Sequence, residues 1–292
     1  MTGAAEHDAP LDPVLRQMMR TNEANWDART PVHLASAFYG LGEAGPGADP
    51  DRWFAAFEWE DLGDLTGREV LHLQCHLGTE TLAFARRGAR TTGLDISGAS
   101  IAAARGLAAD AGLPVDYVRA NVYDAAEALG DERRFDVVYT GKGALCYLPD
   151  LDRWAATIAG LLRPGGRLYL VEFHPLLNSL GPKPAPGEGS ELLLRHDYLG
   201  GRGAIRRDST YTYTDGPAVR GATESFEWMH GIDEVVNALT GAGLAITGLR
   251  ESDELPWPRW PEMVRTPGGW WRLPDTSPRI PLLLALLATR TD

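Results

Sequence analysis

Between residues 66 and 175, short apolar runs alternate with segments of helical period. Glu69–Leu73 has strand length and composition, and Thr79–Arg87 predicts a helix that Gly88 ends. Arg90–Leu94 predicts a second strand. The helix after it carries Ile101, Ala104, Ala108 and Ala111 on one face and stops at Gly112. Val115–Arg119 and Phe135–Thr140 predict two more strands. A helix then opens at Asp150, a capping residue, with Leu151, Trp154, Ala155, Ile158, Leu161 and Leu162 as its apolar face. Pro164-Gly165-Gly166 marks a turn, and Arg167–Glu172 predicts a fifth strand. Such alternation implies a parallel sheet covered on both faces, with right-handed crossovers.

The flanks follow different patterns. Residues 1–15 read as a flexible tail. Residues 16–62 read as a mostly helical N-terminal cap, rich in aromatics from Trp26 to Trp59 and broken by a loop at Gly40–Pro50. Residues 63–292 form the main domain, with insertions at 176–228 and 251–280. The first insertion holds a Pro/Gly loop, an arginine-rich stretch, and the alternation Ser209–Thr214, which predicts an added strand. Ile232, Val235, Val236 and Leu239 then mark a helix, followed by strands at Leu244–Leu249 and Leu282–Ala288. The connection between these strands is Trp- and Pro-rich and has no helical pattern. A last strand without a preceding helix suggests a reversed hairpin. The fold class expected is therefore α/β: a Rossmann-like doubly wound sheet, mostly parallel, with an antiparallel last strand.

Composition narrows the function. A 292-residue chain with 44% hydrophobic and 23% charged residues suits an ordinary globular protein. Its apolar runs are too short to cross a bilayer, and the N-terminus lacks a signal-peptide pattern. Two cysteines make no disulfide framework, so a reducing cytoplasm is expected. The net charge of −12 argues against nucleic acid and leaves a small molecule as the expected partner; oligomeric state is left open. His72, Cys75 and His76 do not read as a metal site, because His72 lies within a strand and the adjacent Cys75 and His76 point to different sides. Cys146 reads as a small buried residue.

The candidate chemistry begins at the first turn, Gln74–Thr79. Asp95 lies 21 residues after Gln74, where an acid ending the second strand accepts from ribose hydroxyls or caps the next helix. The glycine fingerprint of a dinucleotide site is missing. Gln74 and His76 stand where glycines are expected, and only Gly78 survives. A phosphate-free ligand with a ribose, such as S-adenosylmethionine, does not need that anion cradle.

With these motifs the chain resembles the class I S-adenosylmethionine-dependent methyltransferases, and more narrowly a bacterial group whose first motif reads Leu-His-Leu-Gln-Cys-His, here Leu71–His76. The resemblance runs from Asn25-Trp26-Asp27 through Val171–Pro175 to Gly269–Pro274 and the terminal strand. It implies that Gln74, His76 and Gly78 pack around the methionine part of S-adenosyl-L-methionine. Asp95 would take the ribose, Ile96 would lie beside the adenine, and Asn121 and Val122 would form the adenine edge. The family more often has an acid at position 121, but an amide oxygen also accepts from adenine N6.

For the transfer itself, Glu172 and His174 follow the fifth strand. Glu172 reads either as a partly buried general base or as a carboxylate that binds backbone donors; His174 is the second candidate base. Tyr39, Tyr211, Phe226 and Trp228 are expected to line the acceptor pocket. Arg195 and His196, with Arg202, Arg206 and Arg207, form either an anion site or a solvated face. Taken together these permit C-methylation of a prenyl diphosphate with Glu172 as base, and Mg2+ only in that case. O- or N-methylation of a hydrophobic specialised metabolite is the alternative. A nicotinamide-dependent oxidoreductase and a non-catalytic cofactor-binding module are the readings outside methyl transfer.

Overall fold

The apolar runs become strands covered on both faces. In the computed structural model, which describes residues 11–41, 49–181 and 191–291, the chain opens with α1 (Pro13–Leu34), a 3-10 turn (Pro50–Trp53) and α2 (Ala56–Leu62). The alternating region supplies β1 (Glu69–Leu73), α3 (Thr79–Arg86), β2 (Arg90–Asp95), α4 (Gly98–Asp110) and β3 (Val115–Arg119). It continues with α5 (Ala125–Leu129), β4 (Phe135–Thr140), α6 (Leu151–Leu161) and β5 (Leu162–Phe173). Then follow α7 (Pro175–Ser179), β6 (Ile205–Asp208), β7 (Glu224–Glu227), α8 (Ile232–Gly241) and β8 (Leu244–Ser252). Short strands β9 (Glu254–Leu255), β10 (Val264–Arg265) and β11 (Trp271–Arg272) precede β12 (Leu283–Arg290).

Seven strands form one sheet in the order β3-β2-β1-β4-β5-β12-β8. The pairs from β3 to β5 are parallel, and β12 runs antiparallel to both of its neighbours. Its position between two strands explains its composition. Leu283, Leu284, Ala285, Leu286 and Ala288 are all buried, which a strand covered on both faces requires. Alternation sorts the other strands. Leu71 and Leu73 pack with α6 and α8 on one face, while Val70 packs with Leu62, Phe84 and Tyr139 on the other.

Three local expectations change. The strand expected from Arg167 begins at Leu162, because the Pro164-Gly165-Gly166 turn is absorbed as an irregularity: β4 partners skip from Leu162 to Arg167. The strand expected at Ser209–Thr214 lies earlier, as β6 paired with β7. Thr212 and Tyr213 instead send their hydroxyls onto groups of the N-terminal region, so that alternation reflects polar contacts rather than a pleat. Residues 13–15, expected in the flexible tail, open α1: Asp12 Oδ1 accepts from Val14 N (2.7 Å) and Pro13 occupies the first turn. Residues 1–10, 42–48 and 182–190 of the expected tail and loops lie outside the described residues.

α1 crosses the carboxyl ends of the first strands. Asp27 Oδ1 accepts from Ser97 Oγ and Ala99 N at the start of α4, while Asn22 and Asn25 bond the backbone of Phe226 and Ala222. Among the described residues no helix is long and apolar enough to cross a membrane.

Leu286 lies fully buried in β12, between two strands. Leu286→Ala is expected to lower the unfolding free energy by about 2–5 kcal/mol in urea titration, from lost transfer energy and the cavity left behind.

Candidate functional site

Ligands of open α/β sheets bind beyond the carboxyl ends of the strands, and here that region is built around the turn after β1. Gln74 and His76 adopt φ of 55° and 47°, the left-handed region that glycine normally fills. Side chains hold them there. Gln74 Nε2 donates to Ala144 O (2.9 Å), and His76 N donates to Asp95 Oδ2 (2.8 Å). Asp95 Oδ1 accepts from Ser97 N (2.8 Å), and Ser97 Oγ caps α4, so this acid supports both the turn and the helix. Burial raises the Asp95 carboxyl to about 6, against the pull of its two backbone donors; Asp27 raises it further. A carboxylate has about four acceptor sites, and these two backbone donors use two of them.

Beside Asp95 a groove of about 510 Å³ is walled by Ile96, Ala120 and Asn121 on one side and Met19 and Glu23 of α1 on the other. Ile96 and Asn121, the residues expected at an adenine, both wall this groove, and Asn121 Oδ1 accepts from Tyr123 N (3.1 Å). Val122 does not face the groove; its side chain is buried in the core. Gly78 serves packing, because a Cβ there would come 2.3 Å from the Tyr117 hydroxyl.

The expected bases have other tasks. Glu172 is buried at the end of β5, and its carboxylate accepts from four backbone amides: Gly143, Ala144 (2.8 Å), Leu145 (2.9 Å) and Phe173 (2.7 Å). Burial raises its pKa and these four donors oppose the rise. Each lone-pair direction is taken, so Glu172 clamps the loop after β4 and is not placed as a general base. His174 Nδ1 accepts from Leu176 N (3.1 Å), capping α7, and its Nε2 meets Glu251 Oε1 (2.9 Å). Both ring nitrogens are committed to structure.

A second network was invisible in the sequence. His33 Nδ1 lies 2.7 Å from His76 Nε2, and His33 Nε2 lies 2.8 Å from Thr212 Oγ1. His76 Nδ1 meets Ser100 Oγ (3.0 Å), which meets Thr30 Oγ1 (2.8 Å). Burial, with the nearby Arg29 cation, lowers His33 to about 3; burial likewise holds His76 well below the usual histidine value, with His33 and Arg29 adding to it. Both imidazoles are neutral. Arg29 is itself buried, touches Tyr147 Oη (3.3 Å) and the Trp26 ring, and its Nε has no hydrogen-bond partner among the described residues. Gln74 Oε1 and Thr140 Oγ1 are likewise buried and unpartnered among them.

Around these polar groups runs a belt of rings, each in contact with the next: Tyr147, Trp26, His33, Tyr213, Phe38 and Trp257, the last reaching Phe173 beside Glu172. Tyr39 belongs to it, with its hydroxyl 2.5 Å from that of Tyr213. The other expected acceptor residues are dispersed. Tyr211 is 80% exposed; Phe226 lies in β7 against α1; Trp228 is buried, with its amide on Cys146 O. The arginines each have partners of their own. Arg195 donates to the Leu180 and Leu193 carbonyls near His196, Arg202 pairs with Asp197, Arg206 with Glu224, and Arg207 with Glu227.

Cys75 and Cys146 are free thiols whose pKa burial pushes up, so neither is an activated nucleophile. His72 meets Thr81 Oγ1 (2.8 Å) inside β1. Among the described residues no group of three or more His, Cys, Asp or Glu is placed to hold a metal ion.

Residues 71–168 match a family model described as a methyltransferase domain. The chain is similar to the ubiquinone biosynthesis O-methyltransferase of Alkalilimnicola ehrlichii, with 35% identity over 123 residues, covering 42% of this chain and 46% of that protein. The enzyme of the same name from Klebsiella pneumoniae is 34% identical over 110 residues, 38% of this chain and 44% of that one. The chain thus spans less than half the length of these curated relatives. A solved S-adenosylmethionine-dependent methyltransferase from Clostridium acetobutylicum shares the fold, with a TM-score of 0.53 and 12% identity over 86% of this chain and 94% of that chain.

Glu172→Gln replaces one acceptor oxygen of the clamp with a donor facing backbone amides, and a loss of about 1–3 kcal/mol is expected in chemical denaturation. His33 gives a pH signature. Unfolded, it takes a proton below the ordinary histidine value of 6.5; folded, it does so only near 3. The unfolded state therefore binds more protons within that window, and stability is lost as pH falls through it. Thermal melts should show the stability gap between wild type and His33→Gln narrowing from neutral pH towards pH ~4, because only the wild type carries this linkage.

Proposed function

We propose that this chain, whose residues 71–168 match a methyltransferase-domain model, is a class I S-adenosylmethionine-dependent methyltransferase that methylates a small, uncharged, largely apolar acceptor held within the aromatic belt. One observation carries the donor half. Among the described residues Gln74 Oε1 and Arg29 Nε are both buried and unpartnered: an acceptor in the turn itself and a cationic donor from α1, near enough to His76 of that turn to lower its pKa. An amino-acid head group needs this pairing, its ammonium on the amide oxygen and its carboxylate on the guanidinium. Asp95 would hold the ribose hydroxyls, with Ile96 and Asn121 at the adenine.

S-adenosylmethionine supplies a methyl group on a sulfonium, ready for displacement by a nucleophile. The chain's own residues provide position and dryness. Glu172 fixes Gly143–Leu145, Ala144 O holds Gln74, and α1 closes over the turn, so acceptor and donor meet in a set geometry with little water. Apolar rings suit an aromatic or hydrophobic acceptor. The paired arginines give no support to a diphosphate, nor to the Mg2+ that would accompany it. O- or N-methylation is accordingly favoured over C-methylation of a prenyl diphosphate. Two free, unactivated thiols suit a reducing cytoplasm.

Isothermal titration with S-adenosylhomocysteine tests the donor site. Asp95→Ala and Gln74→Leu are each expected to weaken binding by roughly 10- to 100-fold, from one or two lost polar contacts. Wild-type protein that does not bind S-adenosylhomocysteine defeats the proposal.

A further inference from the structure

The hydrogen-bond chain through His33 and His76 has a direction, and its far end fixes that direction. Thr30 Oγ1 lies 2.9 Å from Trp26 O, a carbonyl that only accepts, so the single Thr30 proton is spent there. The bond between Thr30 and Ser100 must then use the Ser100 proton. Ser100 can only accept from His76, which places a proton on His76 Nδ1. His76 is neutral, so its Nε2 is bare and accepts from His33 Nδ1–H. His33 is neutral as well, and its Nε2 is left with a lone pair. That lone pair faces the aromatic belt, where the Thr212 hydroxyl now donates to it.

Thr212 lies on a strap without regular structure. The strap is closed at its base by Val219 N on Thr210 O (2.7 Å) and pinned by the Tyr213 hydroxyl on Tyr39 and by Phe38 N on Asp215 Oδ1 (2.8 Å). Its pegs into the belt are hydroxyls, set on the N-terminal residues that close the donor turn. We propose that His33 Nε2 orients the methyl acceptor by accepting a hydrogen bond from its hydroxyl, that Thr212 holds the place of this hydroxyl, and that the acceptor is a neutral aromatic alcohol. This rests on the methyl-transfer reading for its acceptor but not for the polarity of the chain. His33 orients the hydroxyl as a neutral acceptor and discriminates against analogues with no proton to give. As the oxygen takes the methyl and the sulfonium leaves as the thioether, the proton of the resulting oxonium passes to His33 Nε2, which gives it up to solvent when the product leaves. An acceptor that presents only a lone pair, such as a methyl ether, would face His33 Nε2 with nothing between them, and the site would reject its own product.

Two measurements on the full chain test this. Long-range proton–nitrogen-15 spectra of histidine-labelled protein without ligand should show His33 and His76 both protonated at Nδ1 at neutral pH. Naphthalene and 2-naphthol, titrated against protein saturated with S-adenosylhomocysteine, should differ by about tenfold in favour of 2-naphthol, the worth of one hydrogen bond to a buried acceptor. His33→Phe should abolish the difference, and Thr212→Val, which removes the competing hydroxyl, should widen it. A proton on His33 Nε2, equal affinity of the two probes, no binding of 2-naphthol, or a Thr212→Val variant with a narrowed preference would each overturn the proposal. Failure of S-adenosylhomocysteine to bind would instead count against the methyl-transfer reading, while the ligand-free tautomer pattern would still report on His33.

Discussion

Two residues with side chains hold the left-handed backbone after β1, and the rest of the site is arranged to keep them there. Such a conformation costs on the order of 1–3 kcal/mol for each non-glycine residue, and it persists only where its surroundings over-determine it. His76 is fixed from both ends: its amide on Asp95 and its ring between His33 and Ser100. Gln74 is fixed by the Ala144 carbonyl, and Ala144 is itself held by Glu172. The strain at the turn is thus offset by contacts from β2, β5, α1 and α4. A glycine turn would be free of the strain but would lose the links made by the Gln74 and His76 side chains.

Electrostatics follow from the same closure. α1 shields the turn from water, and desolvation favours uncharged histidines and a reluctant Asp95 carboxylate. The Arg29 guanidinium is enclosed there too, and among the described residues it meets the Tyr147 hydroxyl and the Trp26 face. A buried guanidinium so weakly partnered is costly in a purely structural role, which makes it informative about a ligand. The arginines of the middle insertion show the opposite pattern. Arg202, Arg206 and Arg207, exposed or half-exposed and paired with carboxylates, add little beyond solubility and local order.

Glu172 shows how the same residue satisfies two sequence expectations only one of which survives folding. An acid ending an apolar strand is expected to be buried, and it is. Whether that burial serves proton transfer or a clamp depends on where Gly143, Ala144 and Leu145 turn their amides, and these belong to a loop 27 to 29 residues away in sequence. The Ser209–Thr214 alternation misled for a related reason. Period two marks a strand only when one face meets a core, and here the inward hydroxyls meet His33 and Tyr39.

Local pattern was enough to mark out the strands and helices of residues 69–161 apart from α5, the last strand, the acid at position 95 and the absent glycines of the first turn. Those features are written in local period, in runs short enough to be read without knowing their neighbours, and in residue types that a turn does or does not tolerate. Tertiary structure alone decided which groups share the site. His33 meets His76 across 43 residues and Thr212 across 179, and neither separation carries a pattern. Pairing over such distances is set by how α1 packs over the sheet's carboxyl ends, and packing of that kind leaves no periodic trace in the chain.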